Sequence, residues 1–156
     1  MANQLMDSKD WQLLTLLQSD GRMSISDIAN QLGRSRSNIS ERIEKLKDSG
    51  ILQNISAEIN EEKLGFGISA FVRIQAGSSK HRKIVNELCD LAEVAECHVL
   101  TGAELVIVRV VARNMPHLRD IVDGMTCYGE THTDVIFSSV KRKLVIEGAL
   151  KNCLAP

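Results

Sequence analysis

The sequence predicts an α+β protein, with a helix-turn-helix domain followed by a ferredoxin-like βαββαβ domain. Apolar residues recur with the helical period of about 3.6 over the first 50 residues, and with the strand period of 2 directly after Gly50. Beyond residue 65, strand-like and helix-like segments alternate in the order β-α-β-β-α-β. We therefore expect domains at residues 1–50 and 65–156, joined by a strand linker over residues 51–64.

The composition is that of a packed globular protein and excludes several other classes. Hydrophobic residues make up 44% of the 156 residues and charged residues 25%, whereas aromatic residues are only 3%, too few for the stacking platforms of single-strand binders. No apolar run approaches the roughly 20 residues that span a bilayer, and the first residues do not resemble a secretory signal. Four scattered cysteines without CxxC spacing indicate reduced thiols rather than a disulfide framework. We expect a cytoplasmic protein with no membrane partner.

Two helices open the N-terminal domain. The first is predicted over residues 8–19, with Asp7 or Ser8 as its N-cap. The second follows the capping-box pattern of residues 24–27 and ends at Gly33, a residue suited to the left-handed position after a helix.

A third helix begins after a short turn and completes a helix-turn-helix. Ser35 is its predicted N-cap, and it stops near Gly50. Its apolar stripe would face the other two helices and consists of Ile39, Ile43 and Leu46.

The second domain is expected to cover one face of its sheet with helices. Its predicted elements are a strand around residues 68–75, a helix around 84–91, strands over 94–100 and 105–112, a helix capped by Asn114, and a last strand over 133–143. A βαββαβ sheet carries both helices on one face, so the other face needs a cover. A second copy of the same sheet would provide one, and this predicts a dimer.

Three separated motifs resemble the Lrp/AsnC family, the feast/famine transcription regulators. They are "DSKDWQLLTLLQSDGRMSISDIANQLGRSRSNISERIEKLKDSGIL", "INEEKLGFGISAFV" and "VLTGAELVIVRV", in the family's order over nearly the whole chain. The resemblance implies a winged-type helix-turn-helix and a C-terminal effector-binding (RAM) domain. It also implies homodimers whose linker strands pair over about residues 52–59, further assembly to an octamer, and binding to double-stranded DNA at the nucleoid. The only ligand implied is a small amino acid between dimers; no cofactor is.

The third helix is the candidate DNA-reading element. Arg34 and Arg36 stand at its N-terminus, where the helix dipole adds positive potential toward phosphate. Short polar side chains can bond base edges, and two further basic residues can reach the backbone. With Ser35 as the cap, the candidate contacts are Arg34, Ser35, Arg36, Ser37, Asn38, Ser40, Arg42 and Lys45. Residues 34–47 hold five basic residues against Glu41 and Glu44, although the whole chain carries a net charge of −1.

The turn "TGAELV" is the candidate effector site. In the family this turn grips the carboxylate and ammonium of an amino acid with backbone groups, but this chain lacks the acidic residues common there. The apolar residues that remain favour leucine or methionine. The candidate residues are His98, Val99, Leu100, Thr101, Gly102, Ala103, Glu104, Leu105, Thr131, Thr133, Asp134 and Val135.

Three alternatives compete with an amino-acid-responsive regulator. Sirohaem decarboxylases share this fold and use basic and histidine residues, and this chain has four histidines. However, it has no Ser-His-acid or paired-carboxylate spacing, so we predict that it is not an enzyme. A metal sensor would need a cluster such as Cys97, His98 and His132, which lacks chelate spacing. A nucleoid-packing protein without an effector is also compatible with the sequence.

Overall fold

A computed structural model describes residues 6–75, 81–101 and 106–139, which divide into two compact units, one up to Glu58 and one from Ile59. The helical unit contains α1 (Ser8–Ser19), α2 (Ile25–Leu32) and α3 (Arg36–Asp48). The sheet unit contains β1 (Ile68–Gln75), α4 (His81–Cys89), β2 (Val94–Val99), β3 (Val106–Ala112), α5 (Met115–Met125) and β4 (Glu130–Val135). Within the described ranges, the helices are all too short or too polar to cross a membrane.

Caps define the ends of the three helices of the helical unit. Asp7 caps α1 with a complete capping box. Its carboxylate accepts from the Asp10 backbone N–H at 2.9 Å, and the Asp10 carboxylate accepts from the Asp7 backbone N–H at 2.9 Å. The capping box predicted at residues 24–27 forms only in part. Ser24 accepts from the Asp27 backbone N–H at 3.1 Å, but the Asp27 carboxylate accepts from the Ser24 hydroxyl at 2.6 Å.

The turn between α2 and α3 has the predicted chemistry. Gly33 adopts φ 62°, a left-handed conformation that strains residues with a Cβ, and Ser35 caps α3 by accepting from the Asn38 backbone N–H. The core beneath consists of Leu13, Leu17, Ile28, Ala29, Leu32, Ile39 and Leu46, and Ile43 packs against it half-buried. The predicted apolar stripe of α3 is therefore confirmed.

The predicted strand after Gly50 is absent from the single chain. Residues 53–60 have no regular secondary structure and are all exposed. A strand is defined by hydrogen bonds to a neighbouring strand, and none of the four strands described in this chain pairs with this segment. Alternation alone therefore predicted a strand for which the described residues of one copy supply no partner.

The sheet has the strand order β2-β3-β1-β4, with every described pair antiparallel, as the ferredoxin-like prediction requires. Its core lies between one face of the sheet and the helices α4 and α5. The buried side chains are Ala70, Val72, Ile74, Ile84, Leu88, Val106, Val108, Val110, Ala112, Leu118 and Met125. The predicted strand around residues 68–75 is confirmed as β1, whereas the helix expected around residues 84–91 is α4, which ends at Cys89 and leaves Leu91 exposed.

The last strand is shifted from its predicted position. It was expected over residues 133–143, but β4 runs over Glu130–Val135, and residues 140–143 lie outside the described part of the chain. Antiparallel pairing explains the shift, because β4 must end where its partner β1 begins; the last backbone bond runs from the Ile136 N–H to the Ser69 carbonyl at 2.8 Å.

Candidate functional site

The N-terminal end of α3 carries an exposed group of basic and hydroxyl side chains. Arg34, Ser35, Arg36 and Ser37 are exposed, and the Ser35 and Ser37 hydroxyls lie 3.0 Å apart. Ser40 is half-buried one turn further on. Because the first backbone N–H groups of a helix are positive, this end combines two guanidinium groups with a dipole that favours phosphate.

Two acidic residues of α3, Glu41 and Glu44, are each paired with a lysine of the same helix. Lys45 lies 2.8 Å from the Glu41 carboxylate and Lys47 lies 2.9 Å from the Glu44 carboxylate. The hydrogen bond from Lys45 holds the pKa of Glu41 below its ordinary value. These pairs are exposed and therefore weak, so either lysine can exchange its carboxylate for a phosphate at small cost.

Arg42 lies in a different environment from the other predicted DNA contacts. Its Nη1 is 2.6 Å from Asp10 Oδ1 and 2.8 Å from Asp7 Oδ2, and its Nε donates to Asn38 Oδ1 at 3.1 Å. The side chain is only 21% exposed. A contact between Arg42 and the DNA backbone was predicted, but in this structure Arg42 holds α3 against the start of α1.

Burial and hydrogen bonding oppose each other at Asp7. Burial raises its pKa, but hydrogen bonds from the Asp10 and Lys9 backbone N–H groups and from the Arg42 guanidinium lower it, and the net pKa falls below the ordinary value. Asp7 is therefore a carboxylate at neutral pH, which keeps the pair with Arg42 ionic.

The predicted effector residues that the structure describes do not form one cluster in a single chain. His98, Val99, Leu100 and Thr101 lie at the end of β2, whereas the remaining described candidates lie on β4: Thr131, Thr133, Asp134 and Val135. Gly102, Ala103, Glu104 and Leu105 lie outside the described residues. Since β3 and β1 separate β2 from β4, the two groups are roughly 14 Å apart at a strand spacing of about 4.8 Å.

The sheet register shows which candidates share a level and a face. Val99 and Thr131 lie in one row, through Val106 and Ile74, on the face that carries the helices. Val135 pairs with Ala70, four residues further along β1, and therefore lies roughly 13 Å from that row. Within one chain, the two groups therefore differ in position both across the sheet and along its strands.

The sheet face opposite the helices carries an ionic cluster that sequence analysis missed. Arg109 bonds Glu61 at 2.9 and 3.0 Å, Glu96 at 2.6 Å and the Ser69 hydroxyl at 3.2 Å. The bond from Arg109 holds the pKa of Glu96 below its ordinary value. A single arginine inside the apolar strand "VIVRVVA" was the available signal. On the same face, Arg73 pairs with Asp134 at 2.9 Å.

The described residues offer little support for a histidine-based active site or a metal site. Three histidines each lie near one carboxylate, at 3.5 Å for His98 and Glu96, and at 3.7 Å for both His117 with Glu93 and His132 with Glu130. The described residues contain no group of three or more His, Cys, Asp or Glu side chains able to hold a metal ion.

Each half of the chain matches the model of a known protein domain family. Residues 6–47 match the AsnC-type helix-turn-helix domain, and residues 69–146 match the Lrp/AsnC ligand binding domain. An uncharacterized HTH-type transcriptional regulator, YezC of Bacillus subtilis, is 33% identical over 134 residues, which cover 86% of this chain and 95% of that protein.

Two solved structures share the fold. The Mycobacterium tuberculosis leucine response regulatory protein LrpA is 28% identical, with a TM-score of 0.77 over 88% of this chain and 96% of that one. A Neisseria meningitidis transcriptional regulator in complex with L-Met is 21% identical, with a TM-score of 0.83 over 92% of this chain and 99% of that one.

Proposed function

Because the chain belongs to the Lrp/AsnC family of DNA-binding transcriptional regulators, we propose that it is a sequence-specific regulator that responds to an apolar amino acid bound between dimers. It combines the family's helix-turn-helix with the family's ligand-binding domain. Its homologues are named transcriptional regulators rather than enzymes.

The exposed cationic start of α3 is the observation that best supports DNA reading. Arg34 and Arg36 flank the helix N-terminus, and Ser37 and Asn38 follow within the first turn. A helix in the major groove reads bases with its N-terminal residues, and this helix places its donors there. The pairing of Glu41 and Glu44 with lysines reduces their repulsion of phosphate, which helps explain how a chain of net charge −1 binds DNA.

Separation of the effector candidates across the sheet supports an assembled protein. Of the eight described candidate residues, one chain carries four at the end of β2 and four on β4, so two edges from different copies would complete a site. The exposed linker, with Ile55 and Ile59 about half exposed, would pair with the linker of a second copy. We infer a homodimer that assembles further, with an octamer as the expected size.

The chemistry of the candidate residues supports leucine or methionine as the effector. Val99 and Val135 are 56% and 49% exposed, and contact with an apolar side chain would remove their apolar surface from water, which is favourable. The Neisseria regulator was solved with L-Met, and the Mycobacterium protein is named for its response to leucine.

The DNA-binding part is tested by substitutions at Arg36 and Lys45. Each phosphate contact contributes about 0.9 to the slope of log affinity against log salt, so Arg36→Ala and Lys45→Ala should weaken binding to all duplexes and reduce that slope by about 1. Lys83→Ala, which removes an exposed lysine of α4 paired with Glu87, is the matched control. Unchanged affinity and slope in both variants would remove these residues from the interface.

A thermal-shift screen of the twenty amino acids, followed by calorimetry and native mass measurement, tests the effector. A ligand at a hundredfold excess over its Kd stabilises the protein by about 2.7 kcal/mol. We expect leucine or methionine to bind and to change the assembly. Tighter binding of asparagine or lysine would contradict the apolar site, and DNA binding without any amino-acid response would indicate a nucleoid protein that lacks an effector.

A further inference from the structure

Asn38 and Arg42 stand one turn apart on α3 and are joined by a bond whose direction is determined chemically. The Arg42 Nε–H donates at 3.1 Å to the Asn38 side chain. A guanidinium group has donors and no acceptor, so the atom that faces it must be the Asn38 carbonyl oxygen and not the amide nitrogen. The amide is thereby oriented without ambiguity between its oxygen and its nitrogen.

Arg42 is itself held in place by two carboxylates. Its Nη1 lies between Asp10, which is buried, and Asp7, and these two residues also bond each other in the capping box of α1. Since the guanidinium is bonded on two of its nitrogens, it cannot rotate away from Asn38 without breaking charge-assisted bonds. The orientation of Asn38 is therefore maintained by α1, an element that precedes the helix-turn-helix.

The remaining polar group of Asn38 is its NH₂. The carbonyl faces the half-buried Arg42, and Asn38 lines an open groove. Among the described residues the Asn38 Nδ2 has no hydrogen-bond acceptor, so both of its N–H groups are available for a ligand.

We propose that Arg42 is a positioning residue that makes Asn38 offer only N–H donors to DNA, so that Asn38 reads guanine rather than adenine. This rests on the proposed function, in which α3 enters the major groove. Adenine offers an acceptor and a donor there, and asparagine matches it only when carbonyl and NH₂ both face the base. Guanine offers two acceptors, N7 and O6, which suit an NH₂ group whose carbonyl is engaged elsewhere.

The first test compares duplexes selected from a randomised library by the wild-type protein and by Asn38→Ala. The wild type should select guanine at one base pair of each half-site, and the variant should lose about fivefold or more of that discrimination there. Replacing this guanine by 7-deazaguanine, which lacks the N7 acceptor, should weaken the wild type and leave Asn38→Ala unaffected.

The second test releases the Asn38 carbonyl. Arg42→Lys keeps a positive charge toward Asp7 and Asp10 but has no Nε–H, and Arg42→Met removes the charge as well. Arg42→Lys should shift selection at the same base pair from guanine toward adenine, because Asn38 can then turn both groups to the base. A merely structural role of Arg42 would lower stability and overall affinity without changing the selected base. The 7-deazaguanine measurement on the wild type decides the matter if both Arg42 variants fail to fold.

Two results would overturn the proposal. One is an Asn38→Ala variant that loses a preference for adenine, or that leaves the selected sequences unchanged. The other is a wild type indifferent to 7-deazaguanine at the position in question. Failure of the proposed function is a separate result, because a wild type that binds every duplex equally, or none, selects no sequence at all.

Discussion

The helical unit and the sheet unit differ in how completely one chain builds their surfaces. In the helical unit, the described ion pairs of α3 and the caps of all three helices are satisfied within the unit. In the sheet unit, helices cover one face, the other carries the cluster around Arg109, and the described candidate effector residues lie near opposite edges. The candidate DNA-reading residues thus lie together in one copy, whereas the described effector candidates of one copy lie apart, at β2 and on β4.

The largest expected effect comes from truncating one buried leucine in the core of either unit. Leu13 and Leu88 are both fully buried, one in each unit. Truncation of a buried leucine costs about 2–5 kcal/mol, so Leu13→Ala should lower the unfolding temperature of the helical unit and Leu88→Ala that of the sheet unit. Scanning calorimetry measures both transitions.

Function provides the second readout of this pair of variants. Leu13→Ala should abolish DNA binding near its lowered melting temperature while amino-acid binding persists, and Leu88→Ala should do the reverse. Each variant is the control for the other. If Leu13→Ala lowers both transitions equally, the two units do not unfold separately and the contrast between them fails.

Local features were predictable because they depend on residues close in sequence. The Asp7 cap, the left-handed Gly33, the Ser35 cap and the Asn114 cap each involve partners no more than about four positions away. The apolar stripes of β1, α3 and α5 were predictable for the same reason, since periodicity is a property of consecutive residues.

Features that depend on distant partners were not predictable. Arg42 was expected to contact DNA, because nothing in residues 34–47 indicates that Asp10, 32 positions earlier, would bind it. Arg109 and Glu61 are separated by 48 positions. The strand expected after Gly50 has no partner strand among the residues that the structure describes. The start of β4 was missed because Glu130 to His132 are polar and because the ends of this edge strand are set by its pairing with β1.

Removing the Asp10 carboxylate should destabilise the protein less than truncating a buried core leucine. Asp10→Ala deletes the carboxylate that bonds the Asp7 backbone N–H and Arg42, so the helical unit should lose about 1–3 kcal/mol of its free energy of unfolding. Ser24→Ala, at the exposed cap of α2, is the matched control and should cost about 1 kcal/mol. Denaturant titrations measure both. Equal losses would mean that the bond to Arg42 contributes no stability beyond an ordinary cap.

Acidification should weaken both units through different carboxylates. Asp7 and Glu96 have pKa values below their ordinary 3.8 and 4.5. A carboxylate with a depressed folded pKa contributes stability that is complete above its unfolded pKa and is lost as the pH falls through its folded pKa. Asp7→Asn should therefore flatten the loss of helical-unit stability below about pH 4, and Glu96→Gln that of the sheet unit. A variant that flattens the loss in the other unit would contradict the assignment.

The smallest effect concerns thiols, all three of which lie in the sheet unit among the described residues. Burial, and then the neighbouring Cys89, raise the pKa of Cys97 to about 11, whereas Cys127 is exposed. Alkylation requires the thiolate, so Cys97 should react with iodoacetamide at pH 8 at least roughly tenfold more slowly than Cys127, as measured by peptide mass spectrometry. Cys89→Ser separates the effect of burial on the pKa of Cys97 from that of Cys89. Cys97 should still be alkylated slowly in this variant, because burial under α4 is the larger cause. A Cys97 that then reacts as fast as Cys127 would mean that α4 does not cover this edge of the sheet.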